Sequence, residues 1–453
     1  MGYAYSDHMH VGYSSKEEWN RTQGMPPLSL DKATFEKMAQ LPYIDDLYIR
    51  VEWRDVMSQP GKITLPAVWQ WVLEAAEKYN KRWSFRIMNC SPHSLHDNSL
   101  PAFLQGKFKM TPYWYHENVP GPRPKFFPEY NSEYLKRWNE TIQLLGQQFD
   151  NHERLDYVDV SGYGFWGEMH HWARYSPEGN VTNFQPGSPE DIDAAISSII
   201  DNHLEACPRT PAALCLAASA YPSAQEAYVK GKVWPRRDSF QNGFSSRELA
   251  LAQGLAPGSA MVWEVLLPGI HCLPDGQRPK DGRILPLPQR YFDIGAHFIA
   301  LGFNPWDALW ANENCLSTCQ NISRNIGYRL RPSMVWYRKR PEQNPEIVIG
   351  LCNDGCVTPP GQVKITIDYG ENLLRHLFIP VGQPASSRMK EVASDIPPKS
   401  YQKGGSQRIR LTASITIKGK SWPVQWAVRN ESNAPNFSLD IPLVLPLQEG
   451  GSA

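Results

Sequence analysis

From residue 43 to about 330 the chain alternates two hydrophobic rhythms. Runs rich in β-branched and aromatic residues, Leu47–Trp53, Trp83–Asn89, Tyr157–Gly162, Ala212–Ala218 and Ser259–Leu266, predict strands, with a weaker one near Lys232–Pro235. Between them lie patterns of helical period. Val68, Val72, Ala75, Ala76 and Tyr79 share one face, as do Leu135, Trp138, Ile142, Leu145 and Phe149. Ser188-Pro189-Glu190-Asp191 opens a further helix, with a cap, a first-turn proline and acids at the positive dipole end. Another helix is expected near Pro288–Ala300. Strands alternating with helices predict a parallel sheet. At least six such units in about 330 residues, with no GxGxxG or Walker glycines, favour a (β/α)8 TIM barrel over a doubly wound sheet.

The rhythm changes after about Tyr337. Glu346–Leu351, Val363–Tyr369, Arg408–Ile417, Val424–Val428 and Phe437–Ile441 are short alternating strands separated by Pro, Gly and Ser turns. They predict a C-terminal all-β sandwich. The expected division is a barrel over residues 1–337 and a β domain over 338–453. The roles open to the β domain are a spacer, a homo-oligomer contact or a weak sugar binder.

Charge narrows the partners. The 46 Lys and Arg balance 46 Asp and Glu, which argues against nucleic acid or an anionic membrane. No apolar run is long enough to predict a membrane span. The N-terminus shows no basic-then-apolar leader, and the composition does not separate periplasm from cytoplasm. The eight cysteines form no CxxC pair; Cys315/Cys319 and Cys352/Cys356 are spaced to bridge in an oxidising compartment, with free buried thiols the plainer expectation. No GxSxG elbow supports a hydrolase triad.

In a barrel, chemistry sits at the C-terminal strand ends. There Glu168 and Glu264 each stand in apolar or aromatic surroundings. Burial beside a like charge raises one carboxyl pKa and leaves the other ionised, the minimum machinery for glycoside cleavage. The plainer reading pairs each Glu with a core arginine, and Arg50, Arg86 and Arg237 are the partners at hand.

The segments Tyr48–Trp53 with Gln59-Pro60-Gly61, Ser84–Ile87, Asp159–His170, Val262–Val265 and Ile326–Leu330 carry a resemblance. Together they resemble the retaining glycoside hydrolase barrels of clan A, nearest the family 42 β-galactosidase-like group, and bacterial barrels bearing a C-terminal β-sandwich. The resemblance covers roughly residues 43–337. It implies Glu168 as acid/base after the fourth strand, Glu264 as nucleophile on the seventh, and Arg50 orienting that nucleophile. The clan carries Asn immediately before the acid/base; this chain has Gly167. Asn89, His170 or His171 would then meet the sugar 2-hydroxyl, or the site has left the clan's chemistry.

The remaining expectations are weaker. Trp53, Trp166, Trp172, Trp263 and Trp310 are sugar-stacking platforms or core fillers. Of His170 and His171, adjacent in the chain, at most one faces the site. Glu313 is the substitute nucleophile. The aromatic-rich 90–130 insertion is expected to wall a sugar pocket. The substrate is a carbohydrate, and no metal or organic cofactor is required; His93, His96 and His170 offer the alternative of a metal-dependent hydrolase. A non-catalytic carbohydrate-binding barrel is the runner-up.

Overall fold

The structure, a computed structural model, describes residues 2–5, 32–92, 94, 96–113, 124–171, 186–238, 245–254, 256–264, 294–300, 308–309, 312–313, 316–370, 373–398, 405–428 and 437–445. Trp172, Trp310, His93 and Cys315 lie outside the described residues. The chain forms two compact units.

In the first unit the strands are β1 (Gly2–Tyr5), β2 (Asp46–Glu52), β3 (Arg82–Met88), β4 (Met110–Tyr113), β5 (Lys125–Pro128), β6 (Leu155–Val160), β7 (Ala212–Cys215), β8 (Trp234–Arg237), β9 (Val262–Trp263) and β10 (Phe298–Ile299). Eight of them pair in parallel in chain order, β1-β2-β3-β6-β7-β8-β9-β10, which is the strand order of a (β/α)8 barrel. Strands β4 and β5 form a separate antiparallel hairpin. Helices α1 (Lys32–Ala39), α2 (Trp53–Val56), α3 (Ala67–Lys78), α4 (Ser132–Phe149), α5 (Pro189–Ala206), α6 (Pro222–Val229), α7 (Ser246–Gln253) and α8 (Leu316–Asn325) fall between and after them.

Strand β2 is buried at every position, as strands covered on both faces are. One face of the sheet packs on helices: Trp69 of α3 lies tilted against Phe85 of the neighbouring β3 and stacks on Phe149 of α4, at centroid distances of 5.1 and 5.4 Å. The other carries Tyr48, Arg50 and Glu52 by the period of two. Helix α4 buries Tyr134, Trp138, Ile142, Leu145 and Phe149, and Asn131 caps it by accepting from the Tyr134 amide. Its stripe begins at Tyr134; Leu135 is only half-buried. Helix α5 starts as expected at Ser188, which accepts from the Asp191 amide, with Pro189 in the first turn.

Two details refine these expectations. Of the helix expected near 288–300, residues 288–293 lie outside the described residues, and Phe298–Ile299 form strand β10 in a parallel ladder with Val262 and Trp263. Residues 424–428 are not a strand, although Val424 and Trp426 still bury their side chains. Leu330–Arg338 belongs to the second unit and pairs antiparallel with Glu346–Asn353.

The second unit is the β sandwich. One sheet is β11 (Leu330–Arg338), β12 (Glu346–Asn353) and β15 (Arg388–Asp395). The other is β14 (Leu374–Ile379), β13 (Gln362–Asp368), β16 (Gly405–Ile417) and β17 (Lys420–Pro423), with β18 (Ser438–Leu445) also on β16. Alternate residues Ile347, Ile349, Val363, Ile365, Ile409, Leu411 and Ile415 make the core. Cys90, Cys207, Cys215, Cys319, Cys352 and Cys356 are free thiols, so Cys352 and Cys356 do not bridge. No helix among the described residues is long and apolar enough to cross a membrane.

Candidate active site

The register of β2 on β3 sets Arg50 opposite Arg86, so two guanidinium groups start from one face of the sheet. Asp159 on β6 and Arg236 on β8 complete a buried ring with them. Arg86 Nη1 lies 3.5 Å, and Arg236 Nε 3.1 Å, from Asp159 Oδ2. Tyr48 donates a short hydrogen bond to the same oxygen.

Glu168 and Glu264 close this ring from the ends of the fourth and seventh barrel strands. Glu168 Oε1 meets Arg86 Nη2 at 2.8 Å, Arg236 Nη2 at 3.2 Å and Arg50 Nη2 at 3.5 Å. Glu264 Oε1 accepts from Arg50 Nη1 at 2.9 Å, and its Oε2 contacts Arg236 Nη2. Arg50 and Arg236 therefore each touch both carboxylates. Three arginines balance three acids, with Glu168 2% and Glu264 1% exposed.

Burial is the strongest influence on the Glu168 carboxyl and pushes it up. Arg86, Arg236, His170 and Arg50 together outweigh burial and hold it well below the usual carboxylate range. This corrects the expectation that a like charge and desolvation would raise it. Cys215, at the end of β7, is pushed by burial up to about 11 and stays a thiol.

The turn after β6 that delivers Glu168 is conformationally costly. Trp166 and Met169 take φ of 53° and 63°, in a region that non-glycine residues seldom occupy. A hairpin and a tyrosine hold it there. The Trp166 amide donates to Cys90 O at 2.6 Å, and Tyr113, Phe127 and Phe165 form one buried cluster with Cys90. The Gly164 amide donates to the Tyr130 hydroxyl, 3.0 Å away, and that hydroxyl pairs with His171 Nε2 at 3.0 Å. Gly167 has φ +73°, and a Cβ there would stand 2.8 Å from Ser161 Cβ. A side chain at this position would press on Ser161, so the turn is built around glycine.

The other anticipated residues sort by environment. His170 faces the site, its Nε2 3.5 Å from Glu168 Oε2. His171 is caged instead, with ring centroids of Phe127 and Tyr163 at 4.7 and 4.9 Å. Trp53 is no platform: its Nε1 donates to Thr141 Oγ1 at 2.7 Å and its ring meets Trp138 edge-on. Trp263 is fully buried and alternates to the face opposite Glu264. Trp166 is half-buried near His170, at 5.9 Å between centroids, and Asn89 is buried beside Tyr130 and Tyr134. Glu313 is exposed, unlike the buried cluster, and does not replace Glu264. The hairpin of the 90–130 insertion buttresses the Glu168 turn through Tyr113 and Phe127, so removing 105–127 would strip core packing rather than spare the fold.

The residues missed by sequence reasoning are Arg236 and Asp159. Arg237 had been the expected arginine; it pairs with Glu248 at 3.2 Å instead. The signal was available in the period of two, which puts Arg236 on the face opposite Arg237. A donor set for a cation also exists, since atoms of Glu168, His170 and Asp238 lie within 4.8 Å of one another. The arginines crowding Glu168 Oε1 oppose a further positive charge there.

Glu52, on the same strand face as Arg50, behaves differently. Burial pushes its carboxyl up to about 7, against a hydrogen bond from Ser94 Oγ at 2.9 Å. The folded state thus holds an extra proton between the usual value of 4.5 and about 7, and stability falls as pH rises through that window. Glu52→Gln is expected to match the parent near pH 4.5 and to be the more stable by roughly 3 kcal/mol at pH 8. Melting temperatures across this range check it; a variant-to-parent difference that ignores pH refutes it.

No family model and no curated protein matches this chain. Solved structures do. The β-amylase catalytic domain of Paenibacillus polymyxa is similar at 10% identity and a TM-score of 0.45, over 70% of this chain and 98% of that one. The β-galactosidase of Bacillus circulans sp. alkalophilus gives 12% and 0.30, over 55% of this chain and 39% of that one. The β-glucuronidase of Parabacteroides merdae gives 9% and 0.32, over 100% and 49%. The barrel assignment rests on the strand order itself, and the neighbours named here are glycoside hydrolases of low identity.

Proposed function

We propose that the barrel is a glycoside hydrolase that cleaves a β-linked sugar by a retaining double displacement. The observation that supports this is the convergence of Glu168 and Glu264, from the ends of the fourth and seventh strands, on one cluster; their pairing with Arg50 and Arg236 also fits the plainer reading of a buried ion-pair network. Retention needs the two carboxyl groups about 5–5.5 Å apart, and Arg50, in contact with both, is compatible with such a spacing. Glu264 attacks the anomeric carbon, oriented by Arg50. Glu168 protonates the leaving oxygen and then takes a proton from the incoming water. The resemblance to clan A barrels, and within it to family 42, supports the same division of roles.

The charge around Glu168 makes the reading testable. Its carboxyl faces Arg50 from β2, Arg86 from β3, Arg236 from β8, and His170 and Asp238 at the strand ends. A general acid held below the usual range is mostly deprotonated at neutral pH. Above that pKa its active form grows about tenfold for each unit the pH falls. With an aryl β-glycoside as substrate, kcat/KM is expected to climb steeply from pH 7 toward pH 5, and Glu168→Gln to flatten the climb. A neutral optimum left in place by Glu168→Gln overturns the assignment.

A second reading, a carbohydrate-binding barrel without turnover, is favoured by one observation: Gly167 offers the sugar no side chain, and its turn admits none. Glycan binding with no cleavage of any linkage selects it.

A further inference from the structure

The outer face of the five-stranded sheet in the β domain is unusual in composition. Register sets Thr366 opposite Thr412, and Thr412 opposite Ser438; Thr416 faces Ser421, their hydroxyls 2.6 Å apart. Short hydroxyl side chains thus pave the middle of the sheet. A shallow hollow of about 330 Å³ lies on this floor, lined among others by Thr412, Ser414, Ser421, Trp422 and Phe437. Lys364 is the charged side chain among the residues lining it.

The rim is aromatic. Phe437 is 46% exposed beside the hollow. Phe378, on the strand next to Lys364, is 60% exposed. Trp422 pairs with Ile415 and packs its side chain on the sandwich core, so the exposed rings of this face are Phe378 and Phe437.

We infer that this hollow is a carbohydrate-binding site, separate from the barrel, that takes a stretch of neutral polysaccharide. The chemistry selects that class. Aromatic faces and edges accept the C–H faces of a pyranose. The rows of hydroxyls donate and accept at the spacing of adjacent strands, about 4.8 Å, as ring hydroxyls require. One lysine is too little charge for a nucleic acid or an acidic polymer. The floor is too polar for an apolar protein surface.

The inference stands whether or not the barrel hydrolyses anything, and its test separates the two. Full-length protein is run in native gels containing barley β-glucan, xylan or galactan, with a pectic gel as the acidic control. At least one neutral polymer is expected to retard the parent. Phe437→Ala is expected to weaken binding about tenfold, the loss of one stacked ring. Ser414→Arg, which fills the hollow, is expected to abolish retardation. Both variants should keep the parent's melting temperature and its barrel turnover or glycan binding. No retardation by any neutral polymer, retardation equal in both variants and parent, or retardation only by the pectic gel overturns the site while leaving the barrel assignment untouched.

Discussion

Glu264→Gln is expected to lower the turnover of an aryl β-glycoside by roughly a thousandfold, because it removes the attacking group and leaves the rest of the site in place. The substitution also leaves Arg50 and Arg236 short of a counter-charge, so lost activity alone would not separate chemistry from folding. Chemical rescue does. Glu264→Ala opens a space flanked by two guanidinium groups, and formate carries the missing carboxylate. Added formate is expected to restore turnover in the alanine variant and to do nothing for the parent. Full turnover by a folded Glu264→Gln protein, or rescue by neutral formamide equal to that by formate, removes Glu264 from the mechanism.

Arg236→Met is expected to have the largest effect on stability. Arg236 is fully buried and meets Asp159, Glu168 and Glu264 together. Breaking a buried pair by removing one partner costs about 3–5 kcal/mol, since the other charge stays buried. For a barrel of this size the melting temperature should fall by roughly 6–10 °C. The sign with pH follows from Glu168. Its folded pKa is depressed, so its contribution is fully present above the usual 4.5 and is lost as pH falls through the lowered value. The parent should therefore lose stability only below about pH 4.5 through this group, whereas Arg236→Met has lost much of it already at neutral pH. A melting temperature within about 2 °C of the parent at pH 7 contradicts this account of the network.

Much of the architecture was legible because it is written in local periods. The run Tyr48-Ile49-Arg50-Val51-Glu52 reads as a buried strand, and Ser188-Pro189 reads as a helix start, from neighbours in the chain alone. Strands β11, β14, β15 and β17 were missed because their pairing partners, more than their own residues, make them strands. Arg388–Asp395 is polar and mostly exposed, yet pairs along all of β12. At the site, the convergence of Glu168 with Glu264 was readable from strand order. Its electrostatic setting was not. That depends on Arg50 and Arg86 sharing a register and on Arg236, not Arg237, pointing inward, which are relations between strands.

The buried charge network also bears on the order in which the chain is made. Arg50 and Glu264, which share a hydrogen bond, are separated by 214 residues. Arg50 and Arg86 leave the ribosome long before Glu264, and only Asp159 and Glu168 arrive early enough to meet them. A nascent or truncated chain ending before Arg236 thus lacks the guanidinium that joins all three acids, and one ending before Glu264 carries Arg236 without its closest counter-ion. The barrel half that emerges first can balance Arg50 and Arg86 with Asp159 and Glu168, and Arg236 and Glu264 then join as a second, mutually paired set from near the end of the sheet.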